Sequence, residues 1–110
     1  MDFEINKHTW VIYELNRESL DRLVKKVVGD EVVCSFGITK YDEQTIYINQ
    51  EMCKDQKIRT LKHELMHCYI WEMGMYNVPT FNDEMVCDLV ASSNNFINEI
   101  VERYIKGKKK

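Results

Sequence analysis

From residue 54 onward the hydrophobic periodicity of this sequence is helical over two long segments, and no other feature constrains the fold as strongly. Before that point the apolar residues fall in short β-branched or aromatic segments typical of strands, interrupted by one shorter helical segment. Three segments are predicted strands: residues 9–15, 31–41 and 45–49. Helical spacing predicts one helix that ends at Gly29 and two longer helices over residues 54–73 and 82–105.

The order of these elements (strand, helix, hairpin, helix, helix) predicts an α+β fold. We expect a small, mostly antiparallel sheet of about three strands packed with three helices. A chain of 110 residues fits a single domain over residues 1–110, because domains usually contain about 50–250 residues. The lysine-rich residues 106–110 are expected to form a frayed basic tail.

Charge and hydropathy exclude two classes of partner. The chain has 15 basic and 18 acidic residues and a net charge of −3, whereas direct phosphate contacts normally require a basic excess. No apolar run approaches the roughly 18–20 residues of a membrane span, and the first residues do not resemble a signal peptide. We therefore expect a cytoplasmic protein that binds neither nucleic acid nor membrane directly.

The helix predicted over residues 54–73, the central helix of this fold, contains an H-E-x-x-H sequence at residues 63–67. Histidines four residues apart lie one above the other on a helix face, so His63 and His67 can bind one metal ion. Each imidazole nitrogen can reach a zinc ion at about 2.0–2.1 Å. Glu64 leans toward the same place and is predicted to be the general base that deprotonates a metal-bound water.

The helix face that carries the two histidines also carries Ile70 and Trp71. It lies roughly opposite the other apolar stripe of the helix, and apolar residues on both faces predict a helix packed between two layers. Two unpaired imidazoles would be costly to bury on such a face, which favours a metal ion as their partner.

A catalytic zinc site needs a third protein ligand. The other histidine, His8, is distant in sequence, and residue 73, where an extended motif would have a histidine, is Met73. A carboxylate from the last helix is therefore the predicted ligand, and Glu84 and Asp88 share one helix face. We assign Glu84 to the metal and Asp88 to a hydrogen bond with a ligating histidine, with Asp88 as the alternative ligand.

The four cysteines are spread widely, so they do not form a zinc-ribbon or thioredoxin-type pattern. They are Cys34, Cys53, Cys68 and Cys87. Free and mostly buried thiols are expected. Cys68 follows His67 directly but points about 100° away on the helix, so it is not assigned to the metal.

Two further parts of a hydrolytic site are left open by the sequence. An oxyanion stabiliser is expected, and Tyr76, after the central helix, and Tyr69, within it, are both candidates. The predicted strand around Tyr47 is a candidate for pairing with an extended peptide, although plain sheet structure is the simpler interpretation.

The H-E-x-x-H sequence followed by Glu84 and Asp88 resembles the gluzincin arrangement of zinc ligands. With the strand at residues 45–49 and the segment at residues 60–67, it resembles the ImmA/IrrE family of small metallopeptidases, whose pattern has Asn in place of Asp88. That family includes phage and mobile-element proteins that cleave helix-turn-helix repressors. The resemblance implies a minimal zincin-like hydrolase in which Zn²⁺ activates water, Glu64 is the general base, and the substrate is an intracellular protein such as a DNA-binding repressor.

Three functional interpretations follow from these residues. The first is a zinc-dependent peptidase. The second is a non-catalytic, zinc-stabilised module that binds a repressor or another protein. The third is a metal-free interaction protein whose histidines are incidental. The H-E-x-x-H spacing favours the peptidase.

Overall fold

The computed structural model describes residues 1–28, 36–75 and 83–108, except the side chains of residues 28, 83–88 and 108. The described strands are β1 (Asp2–Ile5), β2 (His8–Leu15), β3 (Gly37–Lys40) and β4 (Thr45–Asn49). The described helices are α1 (Arg17–Val28), α2 (Lys54–Glu72) and α3 (Asp83–Lys108). The α+β class and the three helices are confirmed. The strand predicted over residues 31–41 is confirmed for β3; Phe36 and Tyr41 lie just outside the strand, and residues 31–35 lie outside the described part.

The four described strands form one mixed sheet in the order β1-β2-β4-β3. The β1–β2 and β3–β4 pairs are antiparallel, while β2 and β4 are parallel. The expected sheet of about three, mostly antiparallel strands is therefore wrong in strand number, and its central pair is parallel, although the other two pairs are antiparallel. The physical reason is that β3 runs opposite to β2, so the turn after β3 starts β4 at the same end of the sheet as β2.

The sequence prediction omits β1, a short strand in which the apolar residues Phe3 and Ile5 alternate with exposed ones. Its turn into β2 consists of Asn6 and Lys7, whose φ values are 53° and 67°. Positive φ at both central residues is the requirement of a type I′ hairpin turn, in which Asn is favoured. Four alternating residues followed by Asn are the signal that identifies this strand.

The hydrophobic core lies between one face of the sheet and the helices α2 and α3. The strands contribute Phe3, Ile5, Trp10, Ile12, Ile46 and Ile48 to it. The helices contribute Leu61, Leu65, Cys68, Ile100, Val101 and Tyr104. Because α2 supplies core residues every three or four positions, one side of this helix is fixed against the sheet and the other side lies at the surface.

The carboxylate of Glu72 joins the end of α2 to the β1–β2 hairpin. Its side chain is only 4% exposed; it accepts a hydrogen bond from Trp10 Nε1 at 2.7 Å and pairs with His8 Nδ1 at 2.7 Å. The backbone oxygen of Glu72 accepts a further bond from Asn6 Nδ2 at 3.2 Å. These contacts hold the N-terminal hairpin to a helix whose sequence lies far from it.

Helices α1 and α2 begin and end where local signals place them. Asn16 Oδ1 accepts a hydrogen bond from the backbone N–H of Ser19 at 2.8 Å and so caps the N-terminus of α1. Helix α2 ends before Gly74, whose φ of 73° is readily adopted only by glycine. Within the described part of the chain, no helix combines the length and apolar character needed to cross a membrane.

Candidate metal centre

The two histidines of the H-E-x-x-H sequence bring their Nε2 atoms to within 3.2 Å of each other on α2. The rings of His63 and His67 meet edge to face, with their centroids 4.8 Å apart and their planes at 74°. Two nitrogens that bind one zinc ion tetrahedrally at about 2.0–2.1 Å lie about 3.3 Å apart. The two side chains therefore have the spacing that two ligands of one zinc ion require.

Both histidines are exposed, so the expectation that they lie on a buried helix face is wrong. Ile70 and Trp71, which share that face, are only partly buried. Exposed imidazoles can be hydrated, so desolvation does not require a metal partner for them. The feature that favours a metal is instead the spacing of the two Nε2 atoms.

The histidine pair lies between β3 on one side and α3 on the other. At about 100° per residue, Glu64 and Tyr69 lie on opposite sides of the pair around the axis of α2. Glu64 contacts Thr39 of β3, and the Tyr69 hydroxyl donates a hydrogen bond to Ser92 Oγ of α3 at 3.0 Å. The exposed imidazoles therefore lie on the part of the α2 surface between its contact with β3 and its contact with α3.

Glu64 is only 7% exposed and is held by Thr39 of the edge strand β3. The Thr39 hydroxyl donates a hydrogen bond to Glu64 Oε1 at 2.8 Å and lies 3.3 Å from the backbone oxygen of Glu64. A hydrogen bond to a shielded carboxylate is among the strong ones in a protein. Sequence reasoning does not find Thr39, because 25 residues separate it from its partner and no local motif marks it.

Gly37 explains how β3 approaches α2 so closely. A Cβ atom at this position would lie 2.8 Å from Thr60 Cγ2 and 3.0 Å from the backbone oxygen of Tyr47. A Cβ atom essentially never lies as close as 2.8 Å to another heavy atom, so any side chain at residue 37 would force Thr60 or the strand to shift. The close approach at Gly37 brings Thr39 within hydrogen-bonding distance of Glu64.

An aromatic pair lies at the other end of β3. Tyr41 follows this strand directly and stacks on Trp71 of α2, with ring centroids 4.6 Å apart and planes at 26°. Both rings pack against the core and remain partly exposed. Burial, and to a smaller extent the charge of Glu64, raise the pKa of the Tyr41 phenol above its ordinary value. The pair is therefore close to the carboxylate of the candidate site, and sequence reasoning missed it.

The predicted third ligand lies in a part of the chain whose side chains are not described. Glu84 and Asp88 belong to α3, within Asp83–Lys108, and Tyr76 lies outside the described residues altogether. Among the side chains that are described, no group of three or more His, Cys, Asp or Glu residues is arranged to hold a metal ion. The roles assigned to Glu84, Asp88 and Tyr76 stay predictions.

The remaining candidates have partners of other kinds. The Tyr69 hydroxyl binds Ser92, and its predicted oxyanion role stays a prediction. Cys68 is a free thiol that packs in the core, away from the exposed histidines, and burial raises its pKa far above the ordinary value. Cys53 is also a free thiol but is exposed, and Cys34 and the side chain of Cys87 lie outside the description.

Comparisons of this chain with protein-family models, with curated proteins and with solved structures find no match. The side chains around α2 are therefore the features from which a function can be inferred. The resemblance to the ImmA/IrrE family stays a prediction from the residues that carry it.

Proposed function

We propose that this protein is a zinc-dependent peptidase whose site is built on α2. The observation that carries the proposal is the 3.2 Å separation of the Nε2 atoms of His63 and His67, which fits two ligands of one zinc ion. A shielded carboxylate on the next residue, Glu64, supplies the base that such a site needs. Glu84 is proposed to complete the ligand set, with Asp88 hydrogen-bonded to a ligating histidine.

The chemistry divides between the metal and the side chains of the chain. Zinc, when bound, supplies a Lewis acid for the scissile carbonyl and lowers the pKa of water. Glu64 accepts the proton of the attacking water and delivers it to the leaving amine. Because Oε1 of Glu64 accepts the Thr39 hydroxyl, we assign the proton transfer to Oε2.

The substrate is proposed to be an extended segment of an intracellular regulatory protein. Of the two interpretations that the sequence leaves open for the strand of Tyr47, plain sheet structure is favoured, because β4 lies inside the described sheet between β2 and β3. The neighbouring strand β3 is at the edge of the described sheet, where an added strand finds free backbone groups. The resemblance to the ImmA/IrrE family favours a DNA-binding repressor as that substrate.

The first test is metal analysis of protein purified without a metal-affinity tag. We expect about one zinc per chain, and we expect added zinc to raise the melting temperature, since a ligand that binds only the folded state stabilises it. His67→Ala should abolish both effects. His8→Ala is the matched control, because His8 pairs with Glu72 instead, and it should retain zinc. Zinc retained by His67→Ala would contradict the proposed centre.

The second test separates a peptidase from a zinc-stabilised binding module. Glu64→Gln removes the base but no ligand, so it should bind zinc like the wild type and lose peptide hydrolysis. Cleavage can be measured by mass spectrometry on a mixture of peptides that covers many sequences. If the wild type, loaded with zinc, cleaves nothing, or if Glu64→Gln cleaves as fast, the peptidase proposal fails.

A further inference from the structure

We propose that Tyr41 and Trp71 form the wall of a side-chain subsite beside the histidine pair, and that this subsite accepts an aromatic side chain of an extended peptide. The inference rests on the proposed function and adds a substrate class to it. Two features carry it: the position of Trp71 on the same helix face as the histidines, and the position of Tyr41 at the end of the edge strand.

Trp71 lies four residues after His67, which in turn lies four residues after His63. Residues at this spacing lie one above the other on a helix, about 6 Å apart. Long side chains of a helix lean toward its N-terminus, so the Trp71 ring extends from its backbone toward His67. The partly exposed part of the indole is therefore adjacent to the candidate metal centre.

Tyr41 lies two residues after Thr39, whose hydroxyl holds Glu64. Tyr41 is the first residue of the turn after β3, so its backbone lies within about 6.6–6.8 Å of that of Thr39, and its ring is on the α2 side because it stacks on Trp71. A peptide that lies along β3 with its scissile bond at Glu64 thus brings a side chain about two residues from that bond next to Tyr41. The subsite therefore contacts the side chain of a substrate residue close to the cleaved bond.

The chemistry of the wall favours an aromatic occupant. The stacked rings of Tyr41 and Trp71 offer an apolar surface held rigidly by the core, and a third ring can pack against their exposed parts. A second stacked pair, Tyr13 and Tyr47, has centroids 6.1 Å apart and planes at 22°. Alternation along β2 directs Tyr13 to the face opposite Trp10, away from α2, so this second pair is a matched control.

The experiment uses zinc-loaded protein and two hydroxamates, which bind zinc through the same group. Acetohydroxamate has only a methyl group, and 3-phenylpropanohydroxamate has a phenyl ring on a flexible arm. We expect the phenyl compound to bind at least about tenfold more tightly, as measured by calorimetry. It should also shift the Trp71 indole N–H signal in nuclear magnetic resonance, assigned with Trp71→Phe.

The variants decide whether the wall is responsible. Trp71→Ala and Tyr41→Ala should each reduce the tenfold preference to less than about threefold while leaving acetohydroxamate affinity unchanged. Tyr41→Phe keeps the ring and should keep the preference, and so should Tyr13→Ala. Equal binding of the two compounds to the wild type, or a preference that survives both alanine variants, would overturn the subsite and leave the zinc centre intact. Failure of zinc itself to bind would overturn both proposals, and metal analysis shows which has failed.

Discussion

At the scale of single residues, the candidate site depends on contacts that the sequence specifies only in part. The H-E-x-x-H spacing indicates that His63 and His67 can share a metal, and their 3.2 Å separation agrees with it. The helical periodicity of α2 does not show which of its two apolar faces is buried, because burial depends on where β3 and α3 pack against the helix. Thr39 also could not be predicted, since its role comes from the approach of a distant strand to Glu64.

Replacement of Thr39 by valine tests how much the hydroxyl contributes. Valine has nearly the same shape but leaves the shielded Glu64 carboxylate without this donor, so we expect Thr39→Val to lower the free energy of unfolding by about 1.5–3 kcal/mol. Urea denaturation provides the measurement. Thr39→Ser keeps the hydroxyl and should retain most of the stability, and Thr9→Val, at an exposed strand position, should change little. A Thr39→Val protein as stable as the wild type would show that the hydrogen bond is unimportant.

At the scale of elements, the length and type of most segments could be predicted, but their pairing could not. The strand over residues 45–49 and the helix that begins at Lys54 agree with the periodicity. The parallel pairing of β2 with β4 could not be predicted from periodicity. The alternation of apolar residues indicates that a segment is a strand, but it does not indicate which strand lies beside it. The role of Gly37 could not be predicted either, since its close approach to Thr60 of α2 depends on how β3 and α2 pack in the folded protein.

Substitution of Gly37 by alanine tests the fit of β3 against α2. The added Cβ would press on Thr60 and on the backbone of Tyr47, so we expect the free energy of unfolding to fall by about 1–3 kcal/mol. Gly107→Ala is the matched control, because nothing lies within 4 Å of a Cβ there. Inside a helix that change should raise stability by up to about 1 kcal/mol. Thermal unfolding that ranks the two variants in the opposite order would contradict the close approach.

At the scale of the whole molecule, polar contacts connect α2 and α3 to the sheet across the core. Glu14, on the core side of β2, accepts hydrogen bonds from Lys57 of α2 at 3.2 Å and from Tyr104 of α3 at 2.5 Å. Burial raises the pKa of Tyr104 to about 12. The assembled molecule therefore keeps this phenol neutral at a pH where it would ionise in the unfolded chain.

This difference predicts a loss of stability in alkali. Between pH 10 and about 12 the unfolded chain releases the Tyr104 proton while the folded protein retains it, so the free energy of unfolding falls as pH rises. Below pH 10 both states hold the proton and the contribution is complete. Tyr104→Phe should make the fall shallower and remove one phenol with a midpoint near 12 from an ultraviolet absorbance titration. An unchanged slope in the variant would show that Tyr104 is not protected by folding.

The carboxylate of Glu72 also has a consequence for biosynthesis. A ribosome makes the β1–β2 hairpin first, but the indole N–H of Trp10 has its acceptor on residue 72, and β2 has its parallel neighbour at residues 45–49. The hairpin can close its own turn early, yet it gains its permanent neighbours only when α2 and then α3, whose Phe96 packs on Phe3, have been translated. Until then the nascent chain displays an aromatic side chain that the finished protein buries completely. Chaperones and proteases would meet this protein chiefly in that interval.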